Sequence, residues 1–104
     1  MQKMGSSMTN IKEIAQKLTH LKSELHERYG VSKIEVFGSY ARGEQEEKSD
    51  VDVLVEFDKT IDLLDLVGLE MYISEQLGIK ADVVPKRSIR SELRETILNE
   101  AIAI

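Results

Sequence analysis

The sequence predicts an α/β (α+β) domain, a small mixed sheet of three to four strands packed on helices. Three short segments alternate apolar and polar residues with the two-residue period of a strand. Longer segments between and around them repeat apolar residues at helical spacing. The resulting order is helix, strand, short helix, strand, helix, strand, helix, without internal repeats, and it gives one sheet face to helices and leaves the other for a groove.

Ile11, Ile14, Ala15, Leu18, Leu21, Leu25 and Tyr29 predict a first helix of about five turns, with Thr9 or Asn10 as N-cap and Gly30 as terminator. Lys33 to Gly38 comes next as a short strand in which Ile34 and Val36 oppose Glu35 and Phe37. Ser39 to Glu44 predicts a brief helix or turn, and Gln45 to Ser49 a polar loop. From Asp50 to Phe57, Val51, Val53, Val55 and Phe57 form one apolar face, so Asp50 and Asp52 leave the strand together on the other. After the Asp58-Lys59-Thr60 turn, Leu63, Leu66, Val67, Tyr72 or Ile73, and Leu77 mark a second long helix closed by Gly78. In the last strand Ile79, Ala81 and Val83 oppose Lys80, Asp82 and Val84, and Pro85 ends it. Ser88 or Ser91 caps a final helix carrying Leu93, Ile97 and Leu98. Leu64, Leu69 and Ile89 are expected in the core, with partner docking as the alternative.

A single domain over residues 10–104 is expected, preceded by a flexible stretch over residues 1–9. With no cysteine, disulfides, thiolate zinc sites and cysteine nucleophiles are excluded. His20 and His26 are six apart in a helix, too far for an i,i+4 ligand pair, and are read as polar-face residues. The net charge of -5 argues against a nonspecific grip on nucleic acid. No segment has membrane-spanning length, the first nine residues lack an export signal's apolar region, and a cytoplasmic protein is expected.

Two aspartates held on one strand face repel unless a cation lies between them. Aspartate is also a poor strand former, so Asp50 and Asp52 impose a local cost that a purely solvated strand face does not explain. Asp82 adds a third carboxylate from a separate strand. Three carboxylates on one sheet surface suit two Mg²⁺ ions ~3.5–4 Å apart, arranged for in-line phosphoryl or nucleotidyl displacement. Asp82 would touch one ion and could take the proton of the attacking hydroxyl. Gly38-Ser39 ends a strand where a short helix begins, and its N–H groups and hydroxyl can point at an anion; Arg42 can fork onto phosphate oxygens. Tyr40 could stack on a base, a surface tyrosine being the simpler reading. The charged run Glu44, Glu46, Glu47, Lys48 is expected to be solvated. A P-loop is excluded because no Gly-Lys-Ser/Thr comes after the glycines.

Gly38-Ser39, ten residues, then Asp50-Val51-Asp52, with Asp82 further on, resembles the signature of the DNA polymerase beta-like nucleotidyltransferase superfamily. More narrowly, the chain resembles the minimal nucleotidyltransferases (MNT proteins) of prokaryotes, over Ile11 to Ile104. That resemblance implies a polymerase beta-like core and a HEPN-domain toxin as partner. It also implies antitoxin action by transfer of AMP from ATP to a tyrosine of the toxin. It places both metals on Asp50 and Asp52, one of them also on Asp82, and the β and γ phosphates on Gly38 and Ser39. No helical domain succeeds the catalytic one here, so acceptor choice is expected to come from a second surface. Two alternatives stay open: neutralisation of a partner by occlusion without catalysis, and transfer to a small molecule or an RNA end.

Overall fold

In the computed structural model, which describes residues 9–104, the elements run α1 (Ile11–Tyr29), β1 (Val31–Phe37), α2 (Ser39–Arg42) and β2 (Val51–Phe57). They continue with α3 (Leu63–Leu77), β3 (Ala81–Pro85), a 3-10 turn (Lys86–Ser88), α4 (Ser91–Glu100) and β4 (Ile102–Ala103). The sheet order is β3-β2-β1-β4, antiparallel except for the parallel β2–β3 pair, so the sheet is mixed and has four strands. A parallel pair needs a long crossover, and α3 provides it. The flexible stretch expected at residues 1–9 falls, apart from Thr9, outside the described residues; the Thr9 carbonyl accepts a hydrogen bond from Gln45 Nε2 at 3.2 Å.

The first helix begins at Asn10, whose side chain accepts from the Glu13 N–H at 3.0 Å, and ends at Gly30 in the left-handed conformation. α3 opens on a reciprocal capping box between Asp62 and Asp65. Ser88 and Ser91 do not cap α4: its N-cap is Arg90, with no side-chain bond, and Ser91 is already helical. β1 starts two residues earlier than the alternation suggests, because a register irregularity between Val31 and Lys33 breaks the period while Val31 still pairs with Phe57.

One sheet face carries the core. Val36, Val51, Val53, Val55, Ala81 and Val83 pack with Ile14, Leu18 and Leu25 of α1 and Leu69, Ile73 and Leu77 of α3, all buried. On α3 the sheet selects the stripe Leu66, Leu69, Ile73, Leu77, and Leu63 and Val67 face outward with Leu64 and Met71. A 3.6-residue period cannot choose between two apolar stripes on one helix. Leu69 is therefore core as expected and Ile89, beyond β3, is also buried, whereas Leu64 is 80% exposed. His20 and His26 are exposed, the latter pairing with Asp58 at 2.6 Å. No helix among the described residues is long and apolar enough to cross a membrane.

Candidate active site

The core fixes where the acids go. Because Val51, Val53, Ala81 and Val83 are buried between sheet and helices, the intervening Asp52 and Asp82 leave by the opposite face. Parallel pairing puts Asp52 directly across from Asp82, and Val51↔Ala81 and Val53↔Val83 flank them. Asp50 stands just before β2, two residues from Asp52, with Lys80 Nζ 3.9 Å from its carboxylate. Burial first, then the charges of Asp82, Asp50 and Glu100, hold the Asp52 carboxyl above its ordinary pKa of 3.8, with Arg42 pulling the other way. The coupling of Asp52 to both other aspartates is what three acids on one surface produce.

Antiparallel pairing of Phe37 with Asp52 brings the end of β1 to the same place. Gly38 there has φ 77° and ψ -152°, a conformation that is essentially glycine-only. A Cβ at Gly38 would lie 2.1 Å from Asp52 Oδ2, so glycine is needed here for the carboxylate as much as for any phosphate. The α2 turn closes through Arg42 N–H to the Gly38 carbonyl at 3.1 Å and Glu44 N–H to the Ser39 carbonyl at 2.8 Å.

Arg42 does return to the Gly38 end, where its guanidinium meets carboxylates of the chain itself. Its Nε donates to Glu44 at 2.9 Å, and its Nη1 donates to both Glu100 oxygens at 3.1 and 3.2 Å. Glu100 also accepts from the Gly38 N–H at 2.7 Å. No motif marks Glu100, which lies 62 residues from Gly38 along the chain. Tyr40 is neither a surface residue nor a base platform. The α2 turn directs it into the core, where burial and then Asp50 raise its hydroxyl pKa.

Among the described residues no three His, Cys, Asp or Glu side chains already form a cage able to hold a cation. Mg²⁺ commonly takes one or two carboxylates together with water and substrate phosphates, a set that Asp50, Asp52 and Asp82 would supply in part. The donors are hard oxygens, and burial and the neighbouring acids outweigh Arg42 in disfavouring the ionised Asp52 carboxylate. A separate hollow of about 350 Å³ lies at the other end of β2 and β3, lined by Phe57, Lys59, Lys86, Arg87 and Arg94 among others. It contains none of the three acids.

Three carboxylates from neighbouring strands beside a Gly-Ser turn make a surface suited to phosphoryl or nucleotidyl transfer. Residues 18–104 match the model of the nucleotidyltransferase domain. The chain is 45% identical to the protein adenylyltransferase MntA of Thermococcus cleftensis, over 94% of its own length and 99% of the relative's. It is 51% identical to one of the Methanocaldococcus jannaschii proteins assigned the same activity, over 81% and 86% of the two chains. It also superposes on a structure assigned as a minimal nucleotidyltransferase with TM-score 0.79 and 36% identity, covering 95% of this chain and all of that one. A toxin–antitoxin structure solved with AMP-PNP matches at TM-score 0.71 and 26% identity, over 85% of this chain and 69% of that one. The chain belongs to the nucleotidyltransferase family, within its minimal branch.

Proposed function

We propose that the protein is a Mg²⁺-dependent adenylyltransferase that moves AMP from ATP to a hydroxyl of a partner protein, a tyrosine of a HEPN-domain toxin, and thereby acts as its antitoxin. The observation that carries this reading is the in-register Asp52↔Asp82 pair, joined by Asp50 and adjacent to Gly38-Ser39. The 45% identity to a protein adenylyltransferase and the likeness to a toxin–antitoxin structure with AMP-PNP support the substrate and the partner class.

In this reading Asp50, Asp52 and Asp82 would hold Mg²⁺, two ions being the expected number. When bound there, the metal would supply neutralisation of the developing phosphate charge and orientation of nucleophile and leaving group. Gly38 and Ser39 bind the β and γ phosphates through backbone N–H groups and the Ser39 hydroxyl, and Arg42 adds a forked cation. The acceptor oxygen attacks the α-phosphorus, the bond to the bridging oxygen of pyrophosphate breaks, and the hydroxyl proton passes to Asp82, directly or through water. Asp82 is exposed and Asp50 is 41% exposed, so the acids lie open to a hydroxyl carried on a second molecule.

Incubating the purified protein with labelled ATP, Mg²⁺ and a HEPN-domain toxin that it binds should label the toxin covalently. Asp52→Asn should lower that transfer by ~100-fold or more, because several kcal/mol of transition-state stabilisation are lost. No label on a folded, bound toxin would refute the reading. Neutralisation that survives replacement of all three aspartates would assign occlusion instead.

A further inference from the structure

We infer that Glu100 is a built-in competitor for the nucleotide's phosphates, occupying Gly38 and Arg42 until a nucleotide displaces it. The inference rests on the proposed nucleotide site and names a residue that sets its affinity.

The geometry is specific. One Glu100 oxygen takes the Gly38 N–H at 2.7 Å, and both oxygens take the Arg42 Nη1 at 3.1 and 3.2 Å. These are a backbone donor and a guanidinium, the pair that a phosphate oxygen would use. The Glu100 side chain is only 20% exposed, so the contact is more than a passing surface ion pair.

The charge balance points the same way. Gly38 lies against Asp52 on its Cα side and against Glu100 on its N–H side. A triphosphate entering beside a fixed Glu100 would find its donors taken and a further negative charge at contact distance. Moving Glu100 away removes both obstacles at once.

The fold also lets Glu100 move. It is the last residue of α4, and beyond it only Ile104 packs against the core, the rest of the tail being held by a few backbone and lysine contacts. These are a two-residue strand paired as Val36↔Ile102 and Glu35↔Ala103, the Ile104 N–H to the Ile34 carbonyl at 3.0 Å, and Lys22 Nζ to the Ile104 carbonyl at 3.0 Å. Short, exposed pairings of this kind open at low free-energy cost. Displacement of Glu100 by a phosphate therefore loosens β4, and by linkage anything that draws β4 off β1 favours nucleotide binding by the same factor.

The test is calorimetric titration of the full chain with Mg²⁺ and AMP-PNP, together with amide hydrogen exchange at Ile104. Glu100→Gln keeps the side chain's shape, Glu100→Ala removes it, and thermal melting establishes that each variant is folded. Both variants should bind AMP-PNP at least about fivefold more tightly than the unaltered protein. In the unaltered protein, saturation should speed exchange of the Ile104 amide; in Glu100→Ala it should leave that rate unchanged. Equal or weaker binding by both folded variants, or an Ile104 amide unmoved by saturation, overturns the inference. If none of the three proteins binds AMP-PNP, the nucleotide site itself is wrong, and inorganic tripolyphosphate then decides about Glu100. A Gly38 amide shift in Glu100→Ala that is absent from the unaltered protein supports the inference; no shift in Glu100→Ala overturns it.

Discussion

Replacing Gly38 by alanine should damage the fold and the chemistry together, through Asp52. Two penalties act at once. The backbone at φ 77° and ψ -152° is a region that a side-chain-bearing residue occupies at ~1–3 kcal/mol. The new Cβ would also stand 2.1 Å from Asp52 Oδ2, so the carboxylate must retreat by roughly an ångström, a displacement that can lower a rate ~100-fold. We expect Gly38→Ala to lose ~2–4 kcal/mol of stability in urea denaturation at unchanged m-value, and ~100-fold or more in AMP transfer. A double-mutant cycle isolates the steric part. With Asp52→Ala as background the clash is gone, and Gly38→Ala should cost only the ~1–3 kcal/mol of backbone strain. Identical costs in both backgrounds would refute the claim that Asp52 is what excludes a Cβ. So would a Gly38→Ala protein within ~0.5 kcal/mol of the original and fully active.

The same physics sets two further outcomes. The raised Asp52 pKa means that the folded protein holds its proton to higher pH than the unfolded chain, so this contribution to stability is present below about pH 4 and is lost as pH rises through the folded-state value. Urea midpoints in a chelator should show that decline, Asp52→Asn should lack it, and added Mg²⁺ should reduce it; parallel profiles for the two proteins would be the contrary result. In the core, Leu69→Ala, at a fully buried position, should cost ~2–5 kcal/mol, whereas Leu64→Ala on the outward stripe of the same helix should stay within ~0.5 kcal/mol. Comparable losses at both positions would mean that the other stripe of α3 faces the sheet.

Much of this molecule is local in origin and therefore legible in the order of its residues. The alternation from Val51 to Phe57 fixes the side by which Asp52 leaves the strand whatever the strand pairs with, and Asp50 stands just before it. Asn10, Gly30 and Gly78 bound helices because capping is a matter of neighbouring backbone groups. The Gly38-Ser39 and Asp50-Val51-Asp52 spacing, with Asp82 beyond, was sufficient to recognise the family.

The tertiary structure decided the nonlocal features. Only strand pairing could set Asp82 directly across from Asp52, because a one-residue slip would have sent one of them into the core. Only the sheet could choose between the two apolar stripes of α3, draw Tyr40 inward, and add residues 102–103 as a fourth strand. Only the completed fold could bring Glu100 across 62 residues onto Gly38 and Arg42. Periodicity and capping act within a few residues along the chain, whereas register, burial and ion pairing across the domain depend on which surfaces meet when the core closes.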